Sequence, residues 1–146
     1  MLKFVIVALF IAFASAQAPY KDCGHGEIKS LTINKCKESP CVLHIDEEIN
    51  TDIEAVANQD ATKLKLNMTV DWGQGPVDIT KLVPGFDTDG CHMVKCPIKK
   101  GDTISIVHKE KVPKESHTDM PVTLRIEMLG DQGELFCFSF TEVVKK

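Results

Sequence analysis

The stretch Asp89-Gly90-Cys91-His92-Met93-Val94-Lys95-Cys96-Pro97 gathers carboxylate, imidazole, thioether and two thiols within nine positions. These are the side chains that metals use, and two thiols at this separation can equally close a disulfide. A second C-x4-C pair, Cys36 and Cys41, repeats the choice. The four thiols, with His92, make a zinc-type ligand set, or the two pairs make two short staples. The redox compartment has to decide between them.

The chain begins MLKFVIVALFIAFASA, with Lys3, a nearly unbroken apolar run from Phe4 to Ala14, and then Ala14-Ser15-Ala16. A charged start, a short apolar run and an A-x-A site describe a secretory leader, too short to span a bilayer comfortably. Residues 1–16 are therefore expected to be a signal peptide cleaved after Ala16. Residues 17–146 are expected to form one domain, released to the exterior or to an endosomal or lysosomal lumen. All six cysteines lie in that part, and an even count in a small secreted chain is most simply a disulfide framework. The spacing suggests Cys36 with Cys41, Cys91 with Cys96, and Cys23 with Cys137, the last bracketing nearly the whole domain. The zinc alternative uses the same thiols, but an oxidising compartment weighs against it, so neither metal nor cofactor is expected.

Loss of the leader removes Lys3 and no acid, which moves the formal charge from −4 to −5. A mildly acidic chain is poorly suited to hold nucleic acid or an anionic membrane by charge alone. Catalytic chemistry is equally thin. The histidines, His25, His44, His92, His108 and His117, form no H-E-x-x-H pattern, and no G-x-S-x-G elbow or phosphate-cradling glycine loop occurs. Asp87 and Asp89 are close together, but aspartates in GFDTDG are ordinary turn formers. No catalytic residue is assigned, and the protein is expected not to be an enzyme.

The elements that must carry these residues are strands. In KLKLNMTVDW, apolar Leu64, Leu66, Met68, Val70 and Trp72 alternate with Lys63, Lys65, Asn67, Thr69 and Asp71. That period of two is a half-buried strand. Val122, Leu124, Ile126 and Met128 alternate with Thr123, Arg125 and Glu127 in the same way, and Ile49, Ile53, Ala55 and Ala57 do so less cleanly. EIKSLTIN and DTISIVHKEKV read as further strands; ELFCFSFTEVV, apolar on both faces, reads as one covered on both sides. Turn signals separate them at Ser39-Pro40, GQGP, PGFDTDG, KKGD and GDQG. Seven or so strands in this length predict an all-β fold, an antiparallel sandwich of immunoglobulin-like build. Asn67, in the sequon Asn67-Met68-Thr69, falls on the polar face and is a glycosylation candidate.

The apolar faces are rich in long or aromatic side chains: Leu66, Met68, Trp72, Phe86, Phe138 and Phe140. Sheets lined in this way either interlock or stand apart around a ligand, and periodicity does not separate the two. A resemblance does. YKDCGHGEIKSL, SPC, ANQDATK, VPGFDTDGCHMVKCPIKKG, VPK and GDQGELFC occur in this order along the chain, together with all six cysteines. The pattern resembles the ML lipid-recognition domain, above all Niemann-Pick type C2 proteins and group 2 mite allergens. The resemblance implies two splayed sheets with an apolar cavity between them, and the same three disulfides. It also implies binding of a sterol, a fatty acid or an acyl chain without catalysis.

By the same resemblance the cavity mouth would lie near LVPGF and HTDMPV. Val83 stands where sterol-carrying members have a phenylalanine, and Met120, before Pro121, where they have a tyrosine. The mouth is thereby less aromatic and suited to a flexible chain, which methionine accommodates well. The cavity walls are expected at Ile49, Ile53, Leu66, Met68, Val70, Ile104, Ile106, Leu124, Ile126 and Phe138. Each of these residues would serve equally well as plain core. The leading functional expectation is a secreted, monomeric lipid carrier, its partners being the hydrophobic ligand and an acceptor membrane or receptor. The alternative is an innate-immune module that presents microbial lipid to a receptor.

Overall fold

The computed structural model describes residues 17–146; the expected signal peptide lies outside the described residues. Among the described residues, nine strands form two sheets. They are β1 (Lys21–Asp22), β2 (Ile28–Ile33), β3 (Cys41–His44), β4 (Glu48–Val56), β5 (Lys65–Asp71), β6 (Pro76–Asp78), β7 (Thr103–Lys111), β8 (Pro121–Gly130) and β9 (Gly133–Lys145). The larger sheet runs β1-β9-β8-β5-β6, with β3 also on β9; the smaller runs β2-β4-β7. This is the two-sheet sandwich that the alternation calls for. All pairings are antiparallel except that of β3 with β9, which is parallel.

The alternating residues fall as their period dictates. Leu66, Met68 and Val70 of β5 are buried between the sheets, while Lys65, Asn67, Thr69 and Asp71 stay outside. Val122, Leu124 and Met128 of β8 face the same way, as do Ile49, Ile53 and Ala55 of β4 and Ile104 and Ile106 of β7. In β9 both faces are covered only near Leu135 and Cys137; further on, Ser139, Thr141 and Val143 are partly exposed. The expectation of a fully covered strand therefore holds for its first half, because β1 and β3 flank its edge rather than its outer face.

The two ends of the sandwich differ. At the β8–β9 turn it is solid, with Phe136, Met128, Leu31 and Ile104 essentially without exposure. Gly90 is pressed into this end: a Cβ there would meet Leu64 Cβ and Met128 Sδ, each at 2.6 Å. Buried Gln59 ties the turn down, donating to Gly133 O and Glu134 O, while its Oε1 accepts from Gln132 N. At the other end, where β7 finishes in Glu110 and Lys111 and β9 in Glu142 to Lys145, the sheets do not close.

Three disulfides join Cys23 to Cys137, Cys36 to Cys41 and Cys91 to Cys96. In the stretch Asp89 to Pro97, Asp89 caps a single 3-10 turn by accepting from Cys91 N at 2.9 Å. Exposed His92 sets Nδ1 2.7 Å from Asp87 Oδ2, and that hydrogen bond holds its pKa above the usual histidine value. Cys91 and Cys96 are joined to each other, and Met93 packs partly buried against the core. The place of the stretch in the molecule is that of a staple.

Candidate functional site

A cavity of about 150 Å³ opens between the sheets at the unclosed end. From the larger sheet it is lined by Met68, Leu124, Ile126, Phe138 and Phe140, and from the smaller by Ile33, Ile49 and Thr51. Leu43 of β3, Ile79, Val83, Val112 and Pro113 complete an apolar wall. A second, deeper chamber of about 40 Å³ continues it, walled by Ile53, Leu66, Ile106, Phe86, Met93 and Phe136. Thr51, Met68, Glu110, Ile126 and Phe138 border both chambers. Strand register explains this junction: Met68, Ile126 and Phe138 stand side by side across β5, β8 and β9. The rings of Phe138 and Phe140 stack on one another at 6.4 Å between centroids.

The rim is held by specific bonds. Thr80 is buried; its Oγ1 accepts from Met68 N at 2.8 Å and donates to Met68 O at 3.2 Å. This pins the segment that carries Ile79 and Val83 to the edge of β5. Opposite it, residues 113–116 form the other lip, and Lys114 Nζ lies 3.5 Å from Asp46 Oδ2.

Polar groups enter the cavity at only a few points. On β7 the inward register runs Ile104, Ile106, His108, Glu110, and on β9 it runs Phe136, Phe138, Phe140, Glu142. Two carboxyl groups thus occupy positions that strand geometry aims between the sheets. Burial, reinforced by the nearby Glu110 charge, pushes the Glu142 carboxyl from its ordinary 4.5 up to about 7. Glu110 Oε2 lies 3.5 Å from His108 Nε2, and this contact raises the histidine's pKa against the opposing effect of burial.

Because Glu142 binds its proton more tightly when folded than when unfolded, its contribution to stability is largest below pH 4.5. That contribution falls as pH rises to about 7 and is flat beyond. Glu142→Gln should therefore gain about 1–2 kcal/mol on the wild type between pH 4.5 and pH 8, a value discounted for water at the cavity mouth. Urea denaturation of both proteins at the two pH values measures it. An unchanged difference would show that Glu142 is solvated like an ordinary surface acid.

Of the residues expected from the sequence, Ile49, Met68, Val83, Leu124, Ile126 and Phe138 lie on the main cavity. Ile53, Leu66 and Ile106 lie on the deeper chamber. Val70 and Ile104 are buried but border neither, Ile104 because it packs at the solid end opposite Ala55. Met120 and Pro121 require correction: both are exposed and neither lines the cavity. Pro121 starts β8 in register with Thr123 and so faces outward, while Asp119, held by its N–H to Val144 O and by Lys145, turns Met120 toward solvent. Phe140, Glu110 and Glu142 were not expected in the wall, although the parity of Phe138 and of Ile106 assigns them to it. Ile33, Leu43 and Val112 carry no comparable signal.

Two sheets, three disulfides and an apolar cavity open at one end define the class of protein. The model of the ML domain matches residues 17–143, and the chain belongs to that family. It is 33% identical over 138 residues to the mite group 2 allergen Lep d 2 of Lepidoglyphus destructor, covering 94% of each chain. To Gly d 2.02 of Glycyphagus domesticus it is 36% identical over 126 residues, 86% of this chain and 97% of the relative. Among solved structures, a Niemann-Pick type C2 protein from the Japanese carpenter ant shares the fold, with a TM-score of 0.76 at 20% identity, over 86% of this chain and 98% of that one. Chicken MD-1, solved in complex with lipid IVa, superposes with a TM-score of 0.57 at 14% identity, over 84% and 85% of the two chains.

Proposed function

We propose that this protein is a secreted, monomeric carrier of one hydrophobic small molecule, held between the sheets and passed on unchanged. The ligand class is a sterol, a fatty acid or a similar long-chain compound such as a semiochemical. The observation that carries this reading is the apolar cavity, walled from both sheets and open at one end. Membership of the ML family and the lipid bound to chicken MD-1 support it.

The energetics are sufficient. A chain of sixteen carbons gains on the order of 12 kcal/mol of gross transfer energy at ~0.8 kcal/mol per methylene. Ordering and association reduce that, and a net micromolar affinity remains accessible. The two chambers, about 150 and about 40 Å³, are small beside the ~300 Å³ at which ligand pockets usually begin. Uptake of a long chain therefore entails the sheets moving apart at the open end, and a bound chain should stabilise the fold by mass action.

Native mass spectrometry of protein secreted by expressing cells, with extraction of its cargo, tests the reading. One lipid per chain is the expected result. An empty protein that afterwards binds neither sterol nor long-chain fatty acid would sink it. The alternative, presentation of microbial lipid, differs in requiring a receptor ectodomain that binds tightly only to the lipid-loaded form. Transfer between vesicles in the absence of any receptor separates the two.

We also propose that Asn67 carries a glycan, since its side chain stands on the outer face of β5. Secreted protein should lose the mass of one N-glycan on enzymatic deglycosylation, and Asn67→Gln should show no such loss.

A further inference from the structure

The cavity wall is mostly apolar, and among its polar residues, Thr51, Lys111, Ser116 and two acids, the acids stand on the inward register of their strands. Glu142 follows Phe138 and Phe140 in the inward register of β9, and Glu110 follows Ile106 and His108 in that of β7. Both border the main cavity at its open end. An inward carboxyl group on a lipid-binding wall costs stability unless something polar meets it.

Among the described residues no cation or side-chain donor pairs with the Glu142 carboxyl. Its environment is set by burial and by repulsion from Glu110 alone. The strands flanking it, β3 and β8, place Cys41 and Val122 opposite, and neither titrates. Lys111 also borders the cavity, but it is exposed at the end of β7. The charges of the neighbouring lip are taken: Lys114 by Asp46 and Asp119 by Lys145. Glu115 and His117 do not border the main cavity, and His108 lies one inward position deeper than Glu110.

Resting on the carrier reading above, we propose that Glu142, together with Glu110, forms the head-group site of the cavity and selects long-chain ligands whose head donates a proton, a hydroxyl or an ammonium, over carboxylates. A hydroxyl can donate to either acid, and an ammonium is drawn to both. An ionised carboxylate held beside these two acids meets like charge above pH 7; the donors among the lining side chains, Thr51, Ser116 and exposed Lys111, are not on the strand that carries Glu142. Below pH 7, Glu142 carries a proton and can donate it in a hydrogen bond to a carboxylate head, so discrimination weakens.

The test uses three probes of one chain length, hexadecanol, hexadecylamine and palmitate, titrated against delipidated protein at pH 8 and pH 5.5. At pH 8 palmitate should bind at least about tenfold more weakly than hexadecanol, the scale of one unmet or repelled polar contact. The gap should shrink at pH 5.5. In Glu142→Gln, which keeps the shape and removes the charge, the gap between palmitate and hexadecanol at pH 8 should lose most of its width. Equal binding of all three probes at both pH values, or a gap indifferent to Glu142→Gln, overturns head-group selection and leaves the carrier standing. Failure of all three to bind overturns this inference, while the carrier reading then stands or falls with sterol binding and the extracted cargo.

Discussion

Replacing Cys23 and Cys137 together by serine should lower the free energy of unfolding by roughly 4 to 5 kcal/mol, the loop-closure value for a ring of this size. The bridge spans 114 positions and joins the segment after β1 to β9, the strand on which the larger sheet is built. Cys137 is wholly buried, and Cys23 N donates to Cys137 O at 3.0 Å, so the bridge also fixes a strand pairing at the sheet edge. A domain of this size has only about 5–15 kcal/mol in total. The double variant should therefore unfold at much lower guanidinium concentration and populate unfolded chains near body temperature. Removing Cys91 and Cys96, which close a short loop, should cost only about 2 kcal/mol on the same scale. Guanidinium titrations of both variants give the ranking; a larger loss from the short loop would show that the long bridge does little in the unfolded chain.

The second large effect is on binding. Ile126→Trp should weaken the uptake of any long-chain ligand by at least about a hundredfold, which corresponds to excluding three or four methylenes at ~0.8 kcal/mol each. Ile126 borders both chambers and stands in register between Met68 and Phe138, so an indole there blocks the passage from one chamber to the other. The cost in stability should stay within about 1–3 kcal/mol, since the ring fills space the fold leaves open. Val42→Trp, at a residue that is 47% exposed on the outside, is the control and should leave binding unchanged. Full binding by a folded Ile126→Trp protein would place the ligand elsewhere.

How far the sequence foretells this molecule depends on how local each signal is. β5 and β8 are legible because Leu66 to Val70 and Val122 to Met128 alternate without interruption, and alternation is a property of a single strand. The short strands β1 and β3 are not, because each exists only by pairing with distant β9, and β6 is a three-residue return on β5, too short to show a period of its own. The same distinction runs through the site. Met68, Ile126 and Phe138 follow from parity on long strands; Ile33, Leu43 and Val112 reach the cavity through tertiary placement. Resemblance places Met120 and Pro121 at the mouth, but the unbroken parity of β8, which buries Val122 and Leu124, puts Pro121 on the outer face with Thr123. Glu142 is the instructive case. Its parity with Phe138 and Phe140 is visible in FCFSFTE, yet an acid after a run of phenylalanines reads equally well as the frayed end of a strand. Only the facing β7, with Glu110 on the same cavity, shows that it points inward at a site.

The central claim is that a hydrophobic chain lies between the sheets at the open end. Intermolecular NOEs between carbon-13-labelled hexadecanol and the methyl groups of the protein test this most directly. Contacts to Met68, Ile49, Leu124 and Ile126, with none to the exposed methyls of Val42, Val77 and Val107, are the result this structure predicts. Contacts confined to those outer methyls, with Met68 and Ile126 silent, would contradict it.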